Sequence, residues 1–193
     1  MIRAFVAILL TDTTRQAVAA EIERLRPLSR AVAWVPAQNL HLTLQFLGEQ
    51  PDERLNEAGA ALEEAAGGTA PFALTLHGLG AFPGLERPRI LWVGVAQGAL
   101  EARALQSRVA GALGARGFPP ESRPWHAHLT IGRVFDERRW RRETSPGLRE
   151  AVTRLGSAAF GEVPVASVAL MRSDLHPSGA RYSQLRSFDL GGA

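Results

Sequence analysis

The chain carries His41-Leu42-Thr43-Leu44 near its front and His128-Leu129-Thr130-Ile131 in its second half, 87 residues later (128 − 41 = 87). In both copies a histidine and a threonine alternate with apolar residues, which is the spacing of a strand with one polar and one apolar face. Two such strands brought together would set two imidazoles and two hydroxyls around one small space. That arrangement suits acid–base chemistry on a phosphate and requires no metal ion.

Short strands and helices are predicted on both sides of these copies. Thr11 or Asp12 is expected to begin the first helix, and Gly67-Gly68 to end the second. The Gly- and Pro-rich segment 78–88 is predicted to be a connector and a candidate lobe boundary, and His176–Gly179 a turn. Strands are predicted at 2–10, 31–35, 40–47, 72–77, 90–95, 126–134, 163–173 and 182–190, and helices at 11–28, 51–66, 97–113 and 146–158.

The order of these elements roughly repeats, with a helix, a motif strand, a second helix and further strands in each half. The predicted strands are short and their connections vary in length, which favours antiparallel pairing over a doubly wound parallel sheet. We therefore predict an α+β fold in which residues 1–193 form a single domain of two intertwined lobes. Each lobe would contribute one motif strand, at 41–44 and at 128–131.

The composition excludes several kinds of chemistry. The 193 residues include no cysteine, which rules out disulfides, zinc–thiolate sites and a cysteine nucleophile. All 22 basic residues are arginine, so a lysine nucleophile or Schiff base is ruled out as well. The net charge of +3 is too small for a histone-like polycation. The 46% of hydrophobic residues is enough for a sizeable core.

The N-terminal stretch Ile2–Leu10 is apolar, and Asp12 and Arg15 follow it at once. It is shorter than the ~18 apolar residues of a membrane span and is more typical of a buried strand than of a signal peptide. We therefore expect a cytoplasmic protein with no membrane contact. Nothing in the sequence indicates an obligate protein partner, so we expect a monomer.

Extended to His41–Gly48 and His128–Arg133, the two motif stretches resemble the paired signatures of the 2H phosphoesterase superfamily. Within that superfamily the sequence is most similar to the bacterial and archaeal RNA 2′,3′-cyclic phosphodiesterases, also called 2′-5′ RNA ligase-like proteins. Further stretches resemble the same family in the same order, so the resemblance spans essentially the whole chain. They are Arg3–Ala7, Leu79–Pro83 with Arg87–Gly94, and Arg172–Leu175 with Gly179–Tyr182.

The resemblance implies two α+β lobes related by a pseudo-two-fold axis, with antiparallel sheets lining a central cleft and helices on the outside. It also implies an activity: water opens a 2′,3′-cyclic phosphate on an RNA end or a nucleotide and leaves a 2′-phosphate, with no cofactor. His41 would be the proton donor to the ribose 3′ oxygen. His128 would be the proton acceptor that activates the water.

The side chains themselves account for this chemistry. Opening a cyclic phosphodiester needs a base for the water and an acid for the departing oxygen, and histidine, with an ordinary pKa of ~6.5, serves as either near neutral pH. The residues alone leave open which histidine is the acid and which is the base. Thr43 and Thr130 are expected to hydrogen-bond the non-bridging phosphate oxygens, which carry charge in the transition state.

Four further residues are candidates for substrate contact. Arg133 suits a phosphate, but in a regular strand it would face away from the pocket unless a bulge at Gly132 redirects it. Phe46 and Tyr182 are candidates for stacking on a nucleobase, although Phe46 fits a core position equally well. His126 is predicted to lie on the rim, near the substrate.

Alternatives follow from the same residues. His126, His128 and His41 form a possible metal-chelating set, but no carboxylate lies nearby in the sequence and the threonines would lose their role, so no metal site is predicted. The Arg-rich segment 138–142 is predicted to be a solvated helix face, with RNA binding around Trp140 as the alternative.

Two other functions remain open beside hydrolysis. The same histidines would catalyse the reverse reaction, joining a 2′,3′-cyclic phosphate end to a 5′-hydroxyl through a 2′-5′ bond. An RNA-binding module without turnover is the other alternative, although binding alone needs no pair of proton-transfer groups.

Overall fold

The computed structural model describes residues 1–177 and 179–191, and within them nine strands form one antiparallel sheet accompanied by five α-helices. The strands are β1 (Ile2–Leu9), β2 (Val32–Trp34), β3 (His41–Gln50), β4 (Phe72–Phe82), β5 (Ile90–Val95), β6 (His128–Val134), β7 (Ala159–Val165), β8 (Ser167–Asp174) and β9 (Arg181–Asp189). The helices are α1 (Asp12–Leu25), α2 (Asp52–Gly67), α3 (Ala99–Gly114), α4 (Glu137–Glu143) and α5 (Pro146–Arg154).

The two motif strands are neighbours at the centre of the sheet. The strand order is β7-β4-β5-β6-β3-β1-β8-β9, with β2 paired to β6, so β6 and β3 each lead outward through three more strands. Every recorded strand pairing is antiparallel. The α+β prediction with antiparallel strands is therefore confirmed, and three strands follow in line on each side of the motif strands, with β2 as an additional strand against β6.

The motif strands β3 and β6 pair at only one register position, Leu42 opposite Leu129. Both leucines are buried, at 1% and 0% exposure, in the core beneath the sheet. Beyond this pair the two strands diverge, and β2 pairs with the edge of β6 that this leaves free. Trp34 lies opposite Gly132 there. The divergence opens the sheet into a cleft on the face away from the leucines.

The four helices predicted at 11–28, 51–66, 97–113 and 146–158 all form, although α1 ends at Leu25, α3 begins at Ala99 and α5 ends at Arg154. Thr11 begins α1, because its hydroxyl accepts a hydrogen bond from the backbone N–H of Thr14. Val18, Ile22 and Leu25 recur at helical spacing and are all buried. None of the helices in the described part of the chain is long and apolar enough to cross a bilayer.

The predicted connector at 78–88 is wrong over its first five residues. Strand β4 continues to Phe82, because Gly78 takes a left-handed backbone (φ +77°) and absorbs a register shift after His77. A glycine is required there, since a Cβ would lie 2.5 Å from the Gly156 carbonyl oxygen. Pairing with β5 then resumes at Leu79, so this segment belongs to the sheet and does not separate lobes.

The single strand predicted at 163–173 is two strands. Strand β7 pairs with β4 at one end of the sheet, and β8 pairs with β1 and β9 in the other half. The apolar alternation continues across Ala166, so the sequence pattern does not reveal that the chain crosses there from one half of the sheet to the other. Ser178, within the predicted turn His176–Gly179, lies outside the described residues.

Replacing Leu129 with alanine should lower the free energy of unfolding by about 2–5 kcal/mol, because it opens a cavity under the register position at which β3 pairs with β6. Denaturant unfolding followed by circular dichroism measures the loss. Leu175→Ala is the matched control: this leucine is 71% exposed, so a change within about 0.5 kcal/mol is expected. Equal losses at the two sites would contradict the central role of this pairing.

Candidate active site

The crossing of β3 and β6 brings the four motif side chains onto one face. Because Leu42 lies opposite Leu129 in an antiparallel pair, Thr43 falls beside His128 and His41 beside Thr130. The two histidines therefore occupy one diagonal of the group and the two threonines the other. Diagonal neighbours in a sheet stand about 7–8 Å apart, a gap that suits a phosphate group.

Both imidazoles are held by a backbone carbonyl two residues earlier in the chain. The Nδ1 atom of His41 lies 2.7 Å from the Asn39 carbonyl oxygen, and that of His128 lies 2.8 Å from the His126 carbonyl oxygen. A carbonyl only accepts hydrogen bonds, so Nδ1 carries the proton in each ring. This leaves Nε2 of each histidine as the atom that exchanges protons.

Thr43 is bonded to the first histidine. Its Oγ1 atom lies 3.0 Å from Nε2 of His41. With Nδ1 protonated and the ring neutral, the threonine hydroxyl donates to Nε2; once the ring is charged, Nε2 donates to the hydroxyl. The contact allows His41 to hold a proton and keeps its Nε2 beside the group that is predicted to meet the phosphate.

Aromatic rings pack against both imidazoles. Phe5 and Tyr182 lie on His41, with ring centroids 4.7 and 5.3 Å away. Phe82 meets His128 edge-on at 5.3 Å. These contacts fix the ring planes and remove water from one side of each imidazole. Tyr182, which the sequence offers as a candidate for stacking on a nucleobase, lies beside His41.

Burial lowers the pKa of both histidines below the ordinary 6.5, since a half-buried imidazolium loses hydration. The carbonyl hydrogen bonds of Asn39 and His126 oppose this effect by stabilising the charged rings. The positive charge of Arg133 lowers both pKa values further, and Glu121 raises that of His128. In the free protein both histidines therefore favour their neutral forms near pH 7.

A bulge follows the threonine in each motif strand. In β6, Thr130 lies opposite Trp92 and Gly132 opposite Leu91, so Ile131 is an extra residue. The bulge returns Arg133 to the face of His128 and Thr130, where it is exposed and its charge acts on both histidines. The redirection that the sequence left open thus occurs.

The same irregularity in β3 exposes Phe46. Thr43 lies opposite Ala7 and Gln45 opposite Val6, which makes Leu44 the extra residue. Phe46 then occupies the position in β3 that Arg133 occupies in β6, and it is 49% exposed. A core role for Phe46 is therefore wrong. The matching bulges present a cation on one side of the cleft and an aromatic ring on the other.

The segment before β6 covers the edge of β3 that the divergence leaves unpaired. The indole Nε1 of Trp125 donates to the Thr43 carbonyl oxygen at 3.0 Å, and the Phe46 N–H donates to a Glu121 carboxylate oxygen at 3.3 Å. This segment also carries His126, which is exposed and precedes β6; the predicted strand start at His126 is two residues early.

Sequence reasoning missed Asn39, Phe82 and Trp125. Asn39 acts through its carbonyl and is fixed by its side-chain amide, which donates to the Ala180 carbonyl oxygen at 2.7 Å. Any residue type supplies a carbonyl, so the sequence gives no signal for this role. Phe82 lay in the segment predicted to be a connector, and Trp125 stands among prolines with no periodic pattern around it.

Other predicted candidates lie apart from the crossing. Trp140 is fully buried, so it cannot stack on RNA, and arginines of α4 pair with Glu137 and Glu143. Within residues 1–177 and 179–191, no group of three or more His, Asp or Glu side chains is close enough together to hold a metal ion.

A cleft with paired histidines and threonines on two antiparallel motif strands defines a two-histidine phosphoesterase. The model of the 2′-5′ RNA ligase superfamily matches residues 14–177, and the chain belongs to that family. Two RNA 2′,3′-cyclic phosphodiesterases are similar to it along nearly their whole length. That of Aquifex aeolicus is 34% identical over 100% of this chain and 99% of the relative, and that of Archaeoglobus fulgidus 35% over 97% and 99%.

Solved structures agree with this assignment. A protein of Thermus thermophilus superimposes with a TM-score of 0.76 at 35% identity, covering 99% of both chains. E. coli LigT in complex with 3′-AMP gives a TM-score of 0.76 at 26% identity over 98% of both chains.

Replacing Arg133 with glutamine should raise the pKa of both His41 and His128, because the substitution removes a positive charge that disfavours both imidazolium ions. NMR titration of the imidazole protons measures both values without any substrate. Arg138→Gln, which removes the same charge from α4, should leave them unchanged. A change in the pKa of only one histidine would contradict the position of Arg133 between the two imidazoles.

Proposed function

We propose that this protein hydrolyses 2′,3′-cyclic phosphate ends of RNA or nucleotides to 2′-phosphomonoesters by metal-independent acid–base catalysis. The single observation that carries the proposal is the matched pair of imidazoles, each with Nδ1 on a backbone carbonyl and Nε2 left for proton transfer. The phosphodiesterase relatives that share the full length of the chain support the same reaction. A binding module would have no use for two such groups.

The proposed reaction is a single in-line displacement at phosphorus. Nε2 of neutral His128 takes a proton from water as the water oxygen bonds to phosphorus. The bond from phosphorus to the ribose 3′ oxygen breaks, and Nε2 of protonated His41 gives that oxygen its proton. The products are a 3′-hydroxyl and a 2′-phosphate, and the two histidines exchange protons with solvent before the next turnover.

His41 suits the acid role because of its hydrogen bond with Thr43. Its Nε2 proton has an acceptor in that hydroxyl before substrate arrives. Beside a bound phosphate anion the pKa of His41 should rise, which offsets the lowering by burial. Burial lowers the pKa of His128 and keeps its imidazole neutral, which suits a group that must accept a proton.

The phosphate is proposed to meet Thr43, Thr130 and Arg133. The two hydroxyls donate to non-bridging oxygens, and the guanidinium of Arg133 balances the charge that builds up on them in the transition state. Arg133 makes no ion pair with any residue in the described part of the chain, so its charge is available to a ligand.

The nucleobase of the cyclic nucleotide is proposed to stack near Phe46 and Tyr182. Both lie on the His41 side of the cleft, where the ribose must sit for His41 to reach its 3′ oxygen. Phe46 is exposed and Tyr182 half-buried, so each has a ring surface to offer. His126, exposed on the opposite side, is proposed to contact RNA beyond the cyclic phosphate.

We further propose one domain of two intertwined lobes, each supplying one motif strand, and a monomer that works in the cytoplasm. One chain supplies every residue in this mechanism, and the absence of cysteine is compatible with a reducing compartment.

His41→Ala and His128→Ala should each reduce kcat for 2′,3′-cyclic AMP by ~10²–10⁴-fold, because each removes one proton-transfer step. The assay is run with EDTA, and the product is identified by chromatography against 2′-AMP and 3′-AMP. Wild-type protein should give 2′-AMP at an unchanged rate in EDTA. Loss of wild-type activity in EDTA, or RNA binding without any product, would contradict the proposal.

Thr153→Ala, on the exposed side of α5, is the matched control for the histidine variants and should retain wild-type kcat. Circular dichroism of all three variants checks that the fold is intact. A similar loss of kcat in the control would show that the histidine effects report stability and not catalysis.

The pH dependence of kcat/KM should be bell-shaped, with its alkaline limb at lower pH than that of kcat. The free enzyme is active with His41 protonated and His128 neutral, and burial keeps the pKa of His41 below 6.5, so the active form is lost early as pH rises. Bound phosphate raises the pKa of His41, so the alkaline limb of the kcat profile moves to higher pH. Steady-state rates from pH 4.5 to 9 provide the measurement, and a flat profile would contradict two-histidine catalysis.

A further inference from the structure

A carboxylate lies at the edge of the cleft, although the substrate proposed above is an anion. Glu121 belongs to the segment between α3 and β6 and is exposed. One of its carboxylate oxygens accepts the backbone N–H of Phe46 at 3.3 Å, and its side chain has no other hydrogen bond or ion pair with the residues that the structure describes. Its negative charge also acts on His128, whose pKa it raises. None of the steps proposed for hydrolysis uses this carboxylate.

The segment that carries this carboxylate is fixed to β3 on both sides of it. The side-chain amide of Gln45 donates to the Pro119 carbonyl oxygen at 3.3 Å, and Nε1 of Trp125 donates to the Thr43 carbonyl oxygen at 3.0 Å. Gln45 is 1% exposed, so little water competes for its contact. Together with the N–H of Phe46, these bonds hold the carboxylate at the edge of β3 and limit its movement.

A negative charge in this place weakens the binding of a bare phosphate, because like charges repel. The repulsion is offset only by a ligand that brings hydrogen-bond donors to the carboxylate. A carboxylate has about four positions at which it accepts hydrogen bonds, so the N–H of Phe46 leaves most of them free. The ligand that fits therefore carries its own negative charge at the phosphate and N–H groups on its base.

The position of the carboxylate relative to the ring of Phe46 indicates which part of the base it meets. Glu121 contacts the backbone of Phe46, and the exposed ring of that residue is the surface on which the base is proposed to stack. A base that lies on the ring presents its edge, and not its face, to a group beside the strand. The edge of a nucleobase carries its hydrogen-bond donors and acceptors.

The four bases offer different edges to a carboxylate. Guanine has two adjacent donors, N1–H and the N2 amino group, which match the two carboxylate oxygens. Adenine and cytosine each have one amino group next to a ring nitrogen that only accepts. Uracil has a single N3–H between two carbonyl oxygens, which repel a carboxylate. A site built to bind a donor discriminates against ligands that lack it, because its own polar group is then left unpaired.

We infer that Glu121 binds the Watson–Crick edge of a guanine stacked on Phe46, so that the protein prefers RNA ends and nucleotides that carry guanosine 2′,3′-cyclic phosphate. This inference rests on the proposed function, because it takes the Phe46 side of the cleft as the nucleobase site. The motif strands then act on the phosphate that all RNA ends share, while the segment before β6 selects the base.

The test compares kcat/KM for the 2′,3′-cyclic phosphates of guanosine, adenosine, cytidine and uridine. Wild-type protein should favour guanosine over uridine by about tenfold or more, the usual effect of a hydrogen bond to a charged group. Glu121→Gln should reduce this ratio to about threefold or less, since an amide offers one acceptor and one donor in place of two acceptors. Glu150→Gln, which removes the same charge from the exposed side of α5, is the matched control and should keep the wild-type ratio.

The ratio between substrates separates base recognition from the other effects of the substitution. Loss of the charge near His128, or of the contact with the Phe46 N–H, changes the rates for all four nucleotides alike and leaves the ratio as it was. Equal kcat/KM values for the four nucleotides in wild-type protein, a preference for another base, or a guanosine preference that survives Glu121→Gln would each overturn the inference.

Failure of the proposed function has a different signature, which is the absence of hydrolysis of any of the four nucleotides. In that case calorimetry with guanosine 2′-phosphate and uridine 2′-phosphate still tests the inference. Wild-type protein should bind the guanosine compound about tenfold more tightly, and Glu121→Gln should remove most of the difference. Equal affinities in wild-type protein would overturn the role of Glu121.

Discussion

The pairing of Leu42 with Leu129 is the contact on which the site depends. It is the single register position that joins β3 to β6, and it fixes which polar residues become neighbours on the opposite face. A slip of one residue in either strand would turn the histidine and threonine of that strand into the core and its leucine into the cleft. Burial of the two leucines thus supplies the free energy that keeps four polar groups in register. The divergence beyond them provides room for a substrate.

Two nearly equivalent strands give a site with unequal sides. Both motif strands carry a bulge directly after the threonine, so the fifth residue after each histidine faces the cleft. That residue is Phe46 in one strand and Arg133 in the other. Because the backbone is pseudo-symmetric, each motif strand supplies one proton-transfer group. The two side chains differ, so that the Phe46 side suits a nucleobase and the Arg133 side suits a negatively charged group.

Much of this arrangement follows from local patterns in the sequence. Alternation over His41–Leu44 and His128–Ile131 predicts both the strands and the shared face of their polar residues, and the family resemblance supplies the cleft. What the sequence does not reveal depends on tertiary pairing. The left-handed backbone of Gly78 lets β4 continue past the predicted end of the strand. At Ala166 the chain crosses from one half of the sheet to the other without a break in its apolar pattern. The backbone carbonyls that orient the histidines have no side-chain signature.

The central claim is that His41 and His128 act from opposite sides of one phosphorus atom. The most direct measurement is a crystal structure with a uridine–vanadate complex, in which a five-coordinate vanadium imitates the transition state. The account predicts Nε2 of His41 within hydrogen-bond distance of the apical 3′ oxygen and Nε2 of His128 within that distance of the other apical oxygen. Both imidazoles on one apical oxygen, or either one beyond contact, would contradict it.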